Sequence, residues 1–326
     1  MNKTYYGSTP SPIASISERV NRIRILPVTA ILVSAVLASK LRGELSPIPD
    51  KLVVLTFDDG NVSDYTFVRP LLKRYGFGAT FYVTSSSDWL GIPDRDDWRL
   101  SWAQARELEK DGFEIGNHSF THANIVPLSR AEATQEIAGC ERTFQEQGLA
   151  KPTTFAYPGA SYNLTSMELL KEHDYQFSRR GHFPEYANLA SGARGPAYDP
   201  QKHHPLLVPS TLMPGPGTRW DDFVWAVNQA RDGKICVLTF HGVPDRYPHC
   251  SVPPDAFKSY MNYLKDQGCM VIALRDLAKY VDPDAYPKDK EPYESIYSGL
   301  VISPTQLSCE YADNPLGIDS HQPRFS

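Results

Sequence analysis

One run of residues constrains the fold more than any other. Residues 52–57, Leu-Val-Val-Leu-Thr-Phe, lead directly into Asp58, Asp59 and Gly60. The run is too short for a helix and is bounded by Asp50 and Gly60, so it predicts a buried strand. Strands without a polar face are typical of a parallel sheet covered by helices, which carries its chemistry at the carboxyl ends of the strands. Neighbouring side chains of a strand face opposite ways, so the two acids can have different partners.

Strand-like and helix-like patterns alternate along the following residues. Further strands are predicted at residues 79–83, 113–116, 153–157, 175–178, 235–240 and 269–273. Helices are predicted at residues 65–75, 101–111, 129–147, 164–173, 220–231 and 254–267. About eight β/α steps over roughly 230 residues match the size of a barrel. The predicted fold class is α/β, a (β/α) barrel of about seven to eight parallel strands with its active site at the C-terminal strand ends.

Histidines follow two more of the predicted strands. His118 and His122 come after the third strand, and His241 comes after the strand at residues 235–240. Two histidines four residues apart on a compact turn place both imidazoles on one side. With one carboxylate they form a metal-binding set that leaves coordination positions open, as catalytic sites require. A pair of this spacing is common by chance, but its position at a strand end, in a chain where another strand ends in Asp58-Asp59, favours the metal site.

Three short stretches together resemble the polysaccharide deacetylase family, also called carbohydrate esterase family four. They are residues 56–60 (Thr-Phe-Asp-Asp-Gly), 118–122 (His-Ser-Phe-Thr-His) and 238–241 (Leu-Thr-Phe-His), which look like the first, second and fifth motifs of the family. Order and spacing agree, and the resemblance covers roughly residues 50–280. It implies a distorted, NodB-like barrel that removes acetyl groups from sugar polymers with a divalent metal ion.

The resemblance also implies a role for each motif residue. Asp59, His118 and His122 would hold the metal. Asp58 would be the general base that takes a proton from a metal-bound water, and His241 would be the general acid that protonates the leaving amine. A bound metal lowers the pKa of water to about 7, so the base needs only a short reach to that water. Zinc fits this ligand set best, and cobalt, manganese or nickel also accept such a site.

The third family motif departs from the usual pattern at two positions. The family usually has an Arg, which orients the base, where Ala156 stands, and a Tyr, whose backbone N–H faces the oxyanion, where Gly159 stands. A backbone donor does not depend on the side chain, so Gly159 is expected to keep that role. Arg179 or Arg180 is expected to supply the missing charge, which requires a guanidinium within hydrogen-bond reach of Asp58. The alternative is that both arginines are solvated.

The fourth family motif, an Asp and a Trp that tune the acid histidine, has no clear counterpart. Asp199 and Asp276 are candidates by elimination only. This leaves the tuning of His241 open, but not its identity.

Aromatic side chains in or beside the predicted loops are candidates for stacking on sugar rings. The predicted substrate-binding residues are Tyr157, Pro158, Tyr162 and Trp89, with Trp98, Tyr186 and Trp220 as further aromatic candidates. The alternative for any one of them is burial in the body of the protein.

The predicted reaction is hydrolysis of a carbon–nitrogen bond other than a peptide bond, which removes acetyl groups from a chitin-type, peptidoglycan-type or exopolysaccharide-type polymer. An acetyl ester hydrolase acting on xylan-type polymers is an alternative, because the same site would cleave an ester. A hydrolase of cyclic amides is disfavoured by the intact metal triad. The altered third motif keeps open a catalytically weakened glycan-binding homologue.

The two ends of the chain differ from its centre. Residues 1–44 combine a polar stretch, the cations Arg19, Arg22 and Arg24, and an apolar run over 25–38. This pattern predicts a signal peptide or signal anchor, and hence an exported protein that is periplasmic, secreted or on the cell surface. Residues 45–281 are predicted to form the catalytic barrel, and residues 282–326 an irregular tail.

The composition limits the classes of molecule that the protein is expected to bind. A net charge of -5 and the lack of a basic run argue against nucleic acid, which leaves an N-acetylated glycan as the expected partner and the oligomeric state open. The five cysteines show no metal-like spacing. Cys236 and Cys269 lie in predicted strands and are expected to be small buried hydrophobes. A disulfide that uses Cys250 is a further option in an exported protein.

Overall fold

The structure, a computed structural model, describes residues 44–86, 98–182 and 194–285. Seven strands lie in these ranges: β1 Leu52–Phe57, β2 Thr80–Val83, β3 Glu114–Asn117, β4 Thr154–Ala156, β5 Phe177–Arg179, β6 Cys236–Phe240 and β7 Met270–Ile272. The helices are α1 Arg69–Tyr75, which follows a π-helical turn Asp64–Val68, then α2 Trp102–Lys110, α3 Arg130–Glu146, α4 Leu164–Glu172, α5 Trp220–Val227 and α6 Pro254–Asp266. Strands and helices alternate, as the sequence predicts.

The strands form one parallel sheet with β1 at its centre. The order is β5–β4–β3–β2–β1–β6, and β7 also pairs with β1. On one side, β1 pairs with β6 from Val53 to Phe57. On the other side, β7 pairs with the first half of β1, and β2 pairs with Thr56 and Phe57 near its end. Two strands therefore share one side of β1, which makes the barrel irregular.

Residues 208–212 bridge the outer strands β5 and β6. Val208 forms a parallel bridge with Arg179 of β5, and Leu212 forms one with Leu238 of β6. The backbone N–H of Val208 donates to Ser178 O at 2.9 Å, and that of Thr211 donates to Val237 O at 2.8 Å. The sheet therefore closes on itself, and the predicted barrel of about seven to eight parallel strands is confirmed.

Alternating side chains of the strands fill two different layers. In β1, Leu52 and Val54 pack inside the barrel with Tyr82 and Phe177. Their neighbours Val53, Leu55 and Phe57 pack outside the barrel, in a second core that includes residues of the surrounding helices. Every residue of β1 is thus buried, which explains its lack of a polar face. The same alternation brings the side chain of Asp58, two residues beyond Thr56, to the inner face.

Side-chain caps fix where the helices begin. Ser101 accepts from the backbone N–H of Gln104, and Ser129 accepts from that of Glu132, with a return hydrogen bond in each case. Asn163 forms the same capping box at α4. These caps satisfy N–H groups that have no partner within the helix. The capping box predicted at Ser129 is confirmed.

Some sequence predictions fall outside the described residues. These are the signal segment over residues 1–43, Trp89, Tyr186 and the tail from residue 286. Within the described ranges, no helix combines the length and the apolar character that crossing a bilayer needs.

Cys140, Cys236 and Cys269 are buried free thiols, which confirms the expectation for the two strand cysteines.

Candidate active site

The chain makes a sharp turn where β1 ends. Asp58 continues the strand, and its N–H donates to Phe240 O of β6 at 2.9 Å. Asp59 and Gly60 then adopt left-handed backbone conformations, with φ of 74° and 63°. A non-glycine residue at positive φ is uncommon and persists only where its surroundings hold it. The turn sends the two carboxylates to different partners, as the sequence predicts.

Asp59, His118 and His122 converge at the carboxyl ends of β1 and β3. Asp59 Oδ1 lies 3.5 Å from His118 Nε2 and 3.4 Å from His122 Nε2. His118 Nδ1 lies 2.9 Å from Ala156 O. A carbonyl oxygen only accepts, so Nδ1 carries the proton and Nε2 offers its lone pair to the centre. Of the residues that the structure describes, this is the one group of three His, Cys, Asp or Glu donors, all within 4.8 Å of one another, that could hold a metal ion.

The charges around this group suit a metal site. Burial would raise the pKa of Asp59, but the neighbouring His118, His122 and Arg99 lower that pKa well below its usual range. Burial lowers the pKa of His122 to about 3, although Asp59 opposes the shift. Asp59 is therefore ionised and His122 neutral at pH 7, which are the states that metal ligands need. Two imidazole nitrogens and one carboxylate oxygen fit a divalent ion with open coordination positions.

Asp58 is paired with a cation from another strand. Arg179 Nη2 donates a hydrogen bond to Asp58 Oδ2, and both side chains are fully buried. Arg179 ends β5 and is the direct Cα partner of Ala156 on β4. The guanidinium thus comes from one strand further along the sheet than the family pattern places it. Arg180, by contrast, donates to Gly181 O at 3.3 Å and lies near the ring of Tyr162.

Tyr82 supports this pair from inside the barrel. The Arg179 guanidinium lies 5.8 Å from the centre of the Tyr82 ring. The Tyr82 hydroxyl donates to Thr154 Oγ1 at 3.1 Å, and Thr154 donates to the buried carboxylate of Glu114 at 2.7 Å. A Cβ added at Gly116 would lie only 2.4 Å from the Tyr82 ring. Gly116 therefore gives the ring the space it occupies below Arg179.

His241 stands beside Asp58 at the end of β6. Phe57 and Phe240 are paired in register, so the residues after them leave the sheet side by side. His241 is 3% exposed, and its charge acts on both Asp59 and His122. The two fourth-motif candidates bond elsewhere. Asp199 accepts from Gln201 N, and Asp276 accepts from Ala273 N at the start of a 3-10 turn.

The third-motif segment follows β4 as a 3-10 turn, Pro158–Ala160. Gly159 is buried and has φ of 62°, a conformation that favours glycine. Gly181 lies close to this turn, because a Cβ added there would come within 2.8 Å of Ala160 Cβ. Gly159 therefore stands at a strand end next to the site, and its role toward an oxyanion stays a prediction, as does the role of Pro158.

The structure does not support substrate contact by the ring of Tyr157. That ring is fully buried, and its hydroxyl donates to Leu206 O at 3.1 Å. Ala156 faces the barrel interior, so Phe155 and Tyr157 face the helices. Tyr162 packs against Tyr157 with 5.6 Å between ring centres and is 3% exposed, which also argues against a sugar-stacking role.

Sequence reasoning missed Arg99. Its Nη1 donates to the backbone oxygen of Asp59, and its guanidinium lies 4.0 Å from the centre of the Trp98 ring. Arg99 belongs to no motif and to none of the predicted strands or helices, so nothing in the sequence connects it with Asp59. Trp220, a sugar-stacking candidate, packs on Tyr260 and Tyr263 of α6 but stays 45% exposed, so its role remains a prediction.

The model of the polysaccharide deacetylase family matches residues 46–178, which hold β1 to β4, most of β5 and all three proposed metal ligands. This stretch of the chain is thus similar to the polysaccharide deacetylase family. A peptidoglycan-N-acetylglucosamine deacetylase of Bacillus cereus is 30% identical over 146 residues, which cover 42% of this chain and 63% of that protein. YxkH of Bacillus subtilis is 28% identical over 127 residues, covering 39% of this chain and 43% of that protein. The chain thus spans about half the length of these relatives.

Among solved structures, a family 4 carbohydrate esterase from Streptomyces lividans is similar to this chain. The TM-score is 0.44 at 18% identity, and the match covers 70% of this chain and 93% of that one.

Proposed function

We propose that this protein is a metal-dependent hydrolase that removes acetyl groups from the N-acetylated sugars of a polysaccharide. The observation that carries the proposal is the buried Asp58–Arg179 pair beside the Asp59, His118 and His122 group. A paired carboxylate, a metal-ligand set and His241 converge at one end of a parallel barrel. The match to the deacetylase family, and a deacetylase relative that acts on peptidoglycan N-acetylglucosamine, support this reaction class.

Asp59, His118 and His122 would hold the metal. When bound, a divalent ion polarises the acetyl carbonyl and acidifies the attacking water. The side chains have their own tasks. Ala156 O fixes the His118 tautomer, so that Nε2 faces the centre. The low pKa of His122 keeps that ligand neutral.

Asp58 is the proposed general base. Arg179 binds its Oδ2 and holds the carboxylate in one orientation, while Oδ1 accepts no hydrogen bond from the described residues. Oδ1 is therefore the oxygen placed to accept a proton from the attacking water. His241, next to Asp58 across the β1–β6 pair, would donate a proton to the leaving amine. The Gly159 N–H would bind the oxyanion that forms on the acetyl group.

Acetate release tests the proposal. Full-length protein would be incubated with N-acetylglucosamine oligomers and with peptidoglycan, before and after chelation and zinc addition. We expect release that chelation stops and zinc restores, and that Asp58→Asn reduces by at least about 100-fold. Release from acetylated xylan alone would replace the amide reaction by ester hydrolysis. Zinc-loaded protein that binds these glycans but releases no acetate from any of them would indicate a glycan-binding homologue.

We also propose that the protein is exported, because residues 1–44 combine three arginines with an apolar run. A reporter enzyme fused behind these residues should be found outside the cytoplasm. A matched fusion in which Arg19, Arg22 and Arg24 are changed to Glu should stay inside. Equal retention of both fusions would contradict export.

A further inference from the structure

A short backbone segment lies against the turn that presents Asp59. Arg99 forms an antiparallel bridge with Asn61. The N–H of Val62 donates to Trp98 O at 2.6 Å, and the N–H of Leu100 donates to Gly60 O at 2.8 Å. These bonds hold residues 98–100 against the turn, so the Arg99 side chain starts directly beside Asp59.

The Arg99 side chain also bonds to this turn. Its Nη1 donates to the backbone oxygen of Asp59, the residue whose φ is 74°. A left-handed aspartate is sparsely populated, so a donor fixed on its carbonyl favours the conformation seen here over relaxed alternatives. The donor takes the backbone oxygen of Asp59 and leaves the carboxylate to face His118 and His122.

Trp98 holds the guanidinium in place. The indole is 8% exposed, and its ring centre lies 4.0 Å from Cζ of Arg99. The indole also contacts Tyr247, edge-on with 5.6 Å between ring centres. Tyr247 lies on the loop that follows β6 and His241, so the indole beside Arg99 packs against a segment from another strand end. An arginine stacked on a buried indole loses little freedom when it makes its hydrogen bond.

We propose that Arg99 is a positioning residue of the metal site, which holds Asp59 in its metal-binding conformation. The inference rests on the proposed metal site but not on the reaction. The charge of Arg99 acts against a bound cation, so removing the side chain has two opposing effects. We expect the lost hydrogen bond to weaken metal binding more than the lost repulsion strengthens it, because Arg99 bonds to the backbone oxygen of Asp59 and leaves the carboxylate oxygens to the metal.

Arg246 provides a matched control. Its guanidinium lies 5.6 Å from the centre of the same Trp98 ring, but the side chain is exposed. Within the part of the chain that the structure describes, Arg246 makes no hydrogen bond to Asp59 or to the two ligand histidines. Arg99→Met and Arg246→Met therefore each remove one guanidinium from Trp98, and only the first removes the donor to Asp59.

Zinc titration of the metal-free full-length protein, by calorimetry and by competition with a chelating dye, tests the proposal. We expect Arg99→Met to weaken zinc binding at least 10-fold, Arg246→Met to change it less than 2-fold, and Arg99→Lys to recover part of the loss. The visible spectrum of bound cobalt(II) should change in Arg99→Met and stay unchanged in Arg246→Met. Should Arg99→Met fail to fold, Arg99→Lys and Arg99→Gln give the same comparison.

Zinc binding by Arg99→Met that equals or exceeds the wild type, with an unchanged cobalt spectrum, would overturn the role of Arg99 alone. Wild-type protein that binds no zinc would overturn the metal site itself, and the role of Arg99 with it. Wild-type protein that binds zinc with the expected variant pattern, but releases no acetate, would support Arg99 and contradict the proposed reaction.

Discussion

Asp58 carries a carboxylate that has no exposure to solvent, and that buried charge determines what must surround it. An unpaired buried carboxylate is strongly unfavourable, so a cation has to reach it. Ala156 cannot supply one, and its small side chain faces the barrel interior. Arg179, the register partner of Ala156, supplies it instead. The requirement for a guanidinium is thus met from the neighbouring strand.

Loss of Arg179 should affect both stability and activity. Arg179→Met leaves the Asp58 charge buried without its partner, and we expect it to lower the free energy of unfolding by about 3–5 kcal/mol. Asp58→Asn/Arg179→Met removes both charges and should recover much of that stability while staying inactive. Urea unfolding and acetate release measure the two effects separately. A double variant as unstable as the single one would contradict the unpaired-charge explanation.

Moving the guanidinium back to β4 tests whether the strand matters. Arg179→Ala should lower kcat/KM by at least about 100-fold, because the base loses its orientation. Adding Ala156→Arg to that variant should return at least about 10-fold of the loss, since the two positions are register partners. Arg179→Ala with Ser161→Arg, a position just beyond the 3-10 turn Pro158–Ala160, is the matched control and should recover nothing. Equal recovery by both arginines would show that general charge, and not the strand position, restores activity.

The residues of the site were predictable where chemistry and strand ends coincide. Asp58, Asp59, His118, His122 and His241 all follow buried strands, and the structure brings them together. The ring of Tyr157 was assigned wrongly, although the alternation along β4 already placed it on the helix-facing side. Arg99 could not be predicted, because its contact is to a backbone oxygen and follows from the turn conformation alone.

At the scale of elements, β2 and β3 depend on each other through Gly116 and Tyr82. Gly116→Ala would place a Cβ about 2.4 Å from the Tyr82 ring, and shifting the ring should cost about 1–3 kcal/mol of unfolding free energy. Gly217→Ala is the control, because a Cβ added at that exposed glycine meets nothing within 4 Å. Thermal unfolding of the two variants checks this, and equal Tm values would contradict the close packing.

His204 caps the 3-10 turn Pro205–Leu207, which precedes residues 208–212. This histidine should make the stability of the protein depend on pH. Its Nδ1 accepts from Leu206 N at 2.9 Å, which requires an unprotonated nitrogen. Burial, with a smaller effect of Lys171, lowers the pKa of His204 from 6.5 to about 4. The unfolded chain therefore binds more protons than the folded one between these values, so stability is lost as pH falls from about 6.5 towards 4. The loss from pH 7 to 5 should be about 2 kcal/mol.

His204→Asn separates this contribution from those of other groups. Asparagine keeps a side-chain oxygen that can accept at a cap but has no charge change in this range. Urea unfolding at pH 7 and pH 5 should show a smaller loss of stability for the variant than for the wild type. The same loss in both proteins would mean that His204 does not carry the effect.

The elements themselves were predictable because their signals are local. Ser129 with Glu132, or a short apolar run between turn residues, specifies a helix start or a strand without tertiary information. The closing of the barrel was not specified in this way. Residues 208–212 contain Pro209 and only a short apolar run, and they pair with β5 and β6 only through the three-dimensional arrangement of those strands.

At the scale of the whole molecule, the proposed metal joins parts of the sheet that are not direct neighbours. Asp59 follows β1, His118 and His122 follow β3, and β2 lies between these strands. An ion bound to all three residues ties the two loops together only in the folded state. Binding to the folded chain alone stabilises it by about 2.7 kcal/mol when the free ion is at 100 times its dissociation constant. For a domain of this size, that corresponds to a rise in Tm of roughly 5–10 °C.

Zinc should therefore raise the Tm of the metal-free protein, and a chelator should reverse the shift. His122→Gln removes one ligand and should abolish most of the rise. His249→Gln, which changes a histidine on the loop after β6, is the matched control and should keep it. Calorimetric scans with and without zinc measure all three proteins. An equal rise in wild type and His122→Gln would place the stabilising ion elsewhere, whereas a rise confined to proteins with the intact triad would link the stability of the barrel to the proposed metal site.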